Sequence, residues 1–112
     1  MKKIEAIIRE ERLPIVLADL REKGYPGITI SPVKGHGRQK GIKQVYREVE
    51  YTVEFLPKMR IEVIAEDDAV EKIMKSIAEN ARTGAVGDGK IWVTPVEALM
   101  RVRTGETGDA AI

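Results

Sequence analysis

K-G-H-G-R-Q-K-G-I-K-Q-V-Y-R-E-V-E-Y occupies residues 34–51 and parts the chain into two halves of like pattern. Gly35, Gly37 and Gly41 surround His36, Arg38 and Gln39; Lys40, Lys43 and Arg47 follow, and the stretch closes on Glu50 and Tyr51. No sustained apolar period, helical or extended, covers it, so it reads as a long polar loop between two strands. Loops longer than about 12–15 residues are uncommon inside a compact domain and are usually functional or disordered. The bland alternative is a hairpin extension without a task.

Outward from that loop, each half reads β-α-β. K-K-I-E-A-I-I-R at 2–9 alternates with Ile4, Ala6 and Ile8 on one face, which predicts a strand. Leu13, Val16, Leu17 and Leu20 then fall at helical spacing, with Pro14 tolerable in the first turn and Gly24 as the stop. Tyr25-Pro26-Gly27 is a turn, and Ile28–Val33 predicts a second strand. Pro32 removes one ladder donor and so places that end at an edge or beyond the pairing.

In the second half, Thr52–Ala65 alternates through Val53, Phe55, Met59, Ile61 and Val63, with a break or bulge expected at Pro57. Asp68 and Glu71 have the spacing of a capping box, ahead of a helix stripe at Val70, Ile73, Met74, Ile77 and Ala81. The glycine loop R-T-G-A-V-G-D-G-K spans 82–90, a strand follows at 91–94, and Met100–Arg103 is expected to extend again. The order βαββαβ predicts an α+β, ferredoxin-like sandwich with both helices on one face of an antiparallel sheet. Ile7, Ile64 and Trp92 lie out of phase with the core positions, so a partner subunit is expected over the other face.

Composition sets limits on function. The chain has 112 residues, 33% of them charged, with a net charge of +1, no cysteine and one histidine. The near-cancelling signs argue against a general nucleic-acid or membrane-surface binder, and the missing cysteine excludes disulfide scaffolds and Cys/His metal clusters. With no leader and no long apolar run, a soluble cytoplasmic chain is expected.

Several basic groups carry the chemistry. Gly84, four residues, Gly89 and Lys90 nearly spell a phosphate loop, but Ile91 replaces the required Ser or Thr and a strand follows instead of a helix. Glycine amides beside a lysine still suit a polyphosphate; read alone, the loop is a turn. Arg101 and Arg103, in extended chain, would point the same way with Val102 inward, and two planar forks side by side suit an anion. Their bland reading is a solvated edge paired with Glu62 or Glu97. His36 reads as a solvated loop residue.

V-K-G-H-G-R-Q-K-G at 33–41, E-Y-T-V-E-F-L-P-K at 50–58, A-R-T-G-A-V-G-D-G-K at 81–90 and R-V-R-T-G-E-T-G at 101–108 together resemble the PII signal-transduction proteins of nitrogen metabolism, the GlnK and GlnB proteins. The likeness covers almost the whole chain. It implies one PII domain over 1–112, with a T-loop at about 35–53, a B-loop at about 82–90 and a C-terminal loop at about 102–112. It implies a homotrimer whose clefts between subunits bind ATP or ADP, and 2-oxoglutarate together with Mg-ATP.

Under that resemblance, nucleotide contacts fall to Gly27, Thr29, Gly37, Arg38, Gln39, Glu62, Ile64, Gly87, Asp88, Gly89, Lys90, Arg101 and Arg103. The 2-oxoglutarate contacts fall to Gln39, Lys40, Gly41, Lys58 and Gly87, and Gln39 is the Mg²⁺ ligand. Arg47 would insert into the pore of an Amt-family ammonium transporter, recruiting the protein reversibly to the inner face of the membrane. Glutamine synthetase is the alternative partner. Tyr51 matches a tyrosine uridylylated in some members. The chain departs from the common pattern at Tyr46-Arg47-Glu48 and at Ile7-Ile8-Arg9-Glu10, and Glu48 alters the charge of the loop tip.

Such a protein signals by binding and needs no turnover, so no catalytic residue is expected. A slow ATP-hydrolysing enzyme is the alternative from another class; no carboxylate is paired with a histidine or a metal cluster. An RNA-binding module of this fold would need exposed aromatics on its central strands, whereas aromatic content is only 4% and no RNP1 pattern is present.

Overall fold

The computed structural model describes residues 1–37, 42–46, 49–53 and 55–112, the segments 42–46 and 49–53 by their main chain alone. Strand β1 (Lys2–Arg9) leads through a 3₁₀ turn into helix α1 (Leu13–Glu22), and β2 (Ile28–Gly35) follows. Then come β3 (Ile42–Tyr46), β4 (Val49–Val53), β5 (Leu56–Ala65), α2 (Val70–Ala81) and β6 (Lys90–Pro95). The main sheet has the order β2-β5-β1-β6, every neighbouring pair antiparallel, as the ferredoxin-like reading predicts.

Alternation in the strands and the 3.6-residue stripe in the helices meet in one core. Ile4, Ala6 and Ile8 from β1 pack with Ile61, Val63 and Ala65 from β5, Val16 and Leu20 from α1, and Ile73, Ile77 and Ala81 from α2. Within the helix pair, Asp19 accepts from Ser76 Oγ at 2.5 Å and from Asn80 Nδ2 at 2.9 Å, so α1 and α2 are joined by a polar clasp beside the apolar layer. Pro14 sits in the first turn of α1, and Gly24 takes φ +91° past its end. Pro32 lies in β2, an edge strand, the position where a sheet tolerates proline.

Four expectations are corrected. The loop between the halves contains a separate two-stranded sheet, β3 with β4, in register from Ile42 opposite Val53 to Tyr46 opposite Val49. Apolar periodicity reports burial against a core, and a ribbon outside the main sheet can pair without it. The predicted strand from Thr52 to Ala65 is two strands: the chain bends at Phe55, ahead of Pro57, which sits inside β5 opposite Lys34. Phe55 is accordingly exposed, its ring 5.6 Å from that of His36.

Asp68 and Glu71 make no capping box. Residues Asp67–Ala69 form a 3₁₀ turn and α2 starts at Val70 without a side-chain cap. Met100–Arg103 does not extend either. Residues 102–104 turn, Met100 bridges to Thr107, and Val102 is 96% exposed instead of pointing inward. Among the described residues no helix is long and apolar enough to cross a membrane.

Candidate functional site

The glycine loop after α2 is organised by one carboxylate. Asp88 accepts from the Thr83 and Gly84 amides at 2.9 Å each and from the Thr83 hydroxyl. It also pairs with Arg9 Nε at 3.0 Å. The Thr83 hydroxyl foremost holds its carboxyl well below the usual carboxylate range, with the Thr83 and Gly84 amides and Arg9 adding to the effect. Arg9, at the end of β1, also donates to the Val86 carbonyl at 2.8 Å, so the loop is fastened to the sheet twice by one guanidinium. Gly87 and Gly89 take φ of +104° and +98°, a region closed to most side chains. A Cβ on Gly89 would lie 1.7 Å from the Ile7 carbonyl oxygen, so the loop runs against β1 only because this residue has no side chain.

Lys58 belongs to the same end of the sheet. It stands opposite Arg9 in the β1–β5 register, is only 8% exposed, and donates to the Gly87 carbonyl at 2.7 Å. Burial first, and then the neighbouring Arg9 charge, push its pKa down. The Glu11 and Asp88 carboxylates nearby act in the opposite direction. Lys90 is exposed at the start of β6.

At the other end of β1, Gly27, Thr29, Glu62 and Ile64 line one cleft of about 410 Å³, together with Lys3 and the C-terminal Ala111 and Ile112. Asp88, Gly89 and Lys90 line a different one, of about 270 Å³, against the end of α2. Lys58 and Ile64 are six residues apart on β5, about 20 Å along an extended strand. Among the described residues, these predicted site positions on the sheet and the glycine loop therefore form two groups at opposite ends of the sheet.

Arg101 and Arg103 lie in the C-terminal turn. Arg101 pairs with Glu106 at 3.2 Å, and not with Glu62 or Glu97. Gly37 is exposed after β2. Arg38, Gln39, Lys40, Gly41 and Arg47 lie outside the described residues, as does the side chain of Tyr51, whose main chain pairs opposite Gln44. Arg9, Lys3, Glu106 and Ile112 were not assigned to the site by sequence reasoning. Arg9 could be found only from strand register, because nothing in I-I-R-E announces a loop some 80 positions away.

Sheet order, helix placement and the fastened glycine loop define a ferredoxin-like α+β protein with a cationic loop at one end of its sheet. The profile of the family described as nitrogen regulatory protein P-II matches residues 1–106, and the chain belongs to that family. The P-II protein of Azospirillum brasilense is 54% identical over 112 residues, covering all of both chains. Those of Mesorhizobium japonicum and Rhizobium meliloti are 53% and 51% identical, again over the full length of each. These relatives are named as regulatory proteins, in keeping with a signalling role.

Proposed function

We propose that this chain is the subunit of a homotrimeric sensor whose sites bind ATP or ADP, and 2-oxoglutarate with Mg-ATP. The observation that carries the reading is the division of the site residues. Gly27, Thr29, Glu62 and Ile64 share one cleft, while Gly87, Lys58 and Lys90 gather at the other end of the sheet. A ligand that uses both groups is best served by two copies of the chain, one offering the base-side cleft and the other the phosphate-side loop. The chemistry of the second group fits an anion: glycine main chain, a desolvated lysine and an exposed lysine. Mg²⁺ would add the charge needed to hold a dicarboxylate beside phosphates, and it asks for few protein ligands, with Gln39 in that role.

The output is binding, and no turnover is required of the site. Loop 35–53 is the part proposed to meet the target, an Amt-family ammonium transporter in a cytoplasmic setting, with Arg47 at its tip. Ligand occupancy can signal only if the loop states it favours differ in affinity for that target.

Calorimetry with ATP, ADP, and 2-oxoglutarate with and without Mg²⁺, run beside light scattering for the subunit number, tests the sensor. Nucleotide binding by a trimer is expected, with 2-oxoglutarate binding only when Mg-ATP is present. A monomer, or a trimer indifferent to both nucleotides, overturns it. For the partner, pull-downs from membrane and soluble fractions should retain the transporter with ADP and release it with Mg-ATP plus 2-oxoglutarate. Retention of glutamine synthetase alone would move the target to the soluble enzyme.

A further inference from the structure

Arg101 and Arg103 share a turn but not a state. The Arg101 guanidinium donates to Glu106 Oε1 at 3.2 Å and to the Ile112 main-chain oxygen at 3.1 Å. Its backbone is fixed as well: its N–H donates to the Glu106 carbonyl at 2.9 Å and its carbonyl accepts from Gly105 at 2.8 Å. The Gly108 N–H donates to the Leu99 carbonyl at 3.1 Å, continuing the same clasp. Arg103, by contrast, has no hydrogen bond or ion pair among the described residues. Ile112, which Arg101 holds, lines the cleft that also contains Gly27, Thr29, Glu62 and Ile64.

We infer that Glu106 is an internal stand-in for phosphate. It occupies the Arg101 fork, and a polyphosphate that takes this fork displaces Glu106 and frees the C-terminal segment from the cleft wall. The inference deepens the nucleotide reading and rests on it. A guanidinium fork accepts a carboxylate or a phosphate in the same geometry, so the two compete for one position. The Glu106 pair is weak enough to lose: its side chains are 38% and 45% exposed, and exposed pairs are screened and loosely held. A ligand with two or three phosphates brings more charge than one carboxylate and wins the exchange. A nucleoside without phosphate brings none and leaves the pair intact.

Glu106 is thereby a specificity-determining residue, and the two arginines divide the work. Arg103, without a partner, meets the anion first, and Arg101 joins once Glu106 has let go. Release of Arg101 also undoes its hold on Ile112, so the border of the base-side cleft changes when phosphates arrive.

The test compares wild type with Glu106→Gln, which keeps an acceptor for Arg101 and removes the charge. Calorimetry with ATP, ADP and adenosine should show ATP and ADP tightened about twofold to fivefold, the range an exposed ion pair supplies, with adenosine unchanged. Hydrogen exchange supplies the second readout. ADP should speed exchange at the Gly105 and Gly108 amides in wild type, and Glu106→Gln should show the faster exchange without any nucleotide. Weaker ATP and ADP binding in the variant, or equal tightening for adenosine, overturns the inference, as does slow tail exchange in both proteins. The exchange measurement without nucleotide stands apart from the sensor reading. If wild type ignores ATP and ADP, the nucleotide site is lost, while tail exchange in Glu106→Gln still decides whether Glu106 holds the segment.

Discussion

Gly89 and Gly84 carry similar positive φ, +98° and +91°, yet their surroundings differ. Nothing lies within 4 Å of a Cβ built on Gly84, whereas one on Gly89 meets the Ile7 carbonyl oxygen at 1.7 Å. Gly84→Ala should cost only the backbone strain, about 1–2 kcal/mol. Gly89→Ala must also push the loop off β1 and should cost more than about 3 kcal/mol. Urea denaturation of the two variants checks the order; equal losses would mean that the close approach to β1 has no energetic weight. Asp88 gives a prediction in pH. Its folded-state pKa lies below the unfolded value, so the stability it contributes is present above the unfolded value, about 4, and is lost as pH falls toward the folded one. Asp88→Asn should lower the urea midpoint at pH 7, and the gap to wild type should narrow as the pH drops below about 4. A gap constant with pH would show that the charge is not what holds the loop.

Between elements, the clasp of α1 on α2 depends on the hydroxyl of Ser76, a residue only 1% exposed. Ser76 donates to Asp19, and Asn80 donates to the same carboxylate oxygen. Ser76→Ala should cost about 1 kcal/mol, because Asp19 keeps Asn80 and Lys23 as partners. A thermal melt of the variant measures it, and an unchanged midpoint would leave the helix pair resting on Val16, Leu20, Ile73 and Ile77 alone. Element boundaries also show where pattern reading stops. The α1 and α2 stripes and the alternation of β1 were plain in the sequence, since burial against a common core imposes them. The ribbon of β3 and β4 and the turn at 102–104 are set by pairing and chain reversal. The turn and β3 leave no apolar period to read, and the short alternation Val49, Tyr51, Val53 in β4 is too brief to stand apart from the strand that follows it.

At the scale of the whole molecule, the proposed sensor needs residues from two copies at each site. Lys90→Ala and Arg103→Ala should each weaken ATP binding when made alone. Refolding the two variants together should restore about a quarter of the sites, those in which an intact glycine loop faces an intact arginine across a head-to-tail interface. Recovery of no sites would place the two groups in service of one chain and remove the reason for a trimer. Size exclusion with scattering, run on the same mixture, confirms that the variants have assembled.

By itself the sequence determined the α+β order, the core positions and the family, because alternation, helical spacing and four motif blocks are local properties of the chain. It also named the glycine loop, with Lys58 and Lys90, but not Arg9. Only the tertiary structure decided that Arg9 fastens that loop, that Lys58 reaches the Gly87 carbonyl, and that Arg101 is engaged by Glu106. Those contacts join positions brought together by strand register and by a turn. Nearest-neighbour pattern does not encode such distances, since each depends on where the rest of the sheet has already placed the backbone.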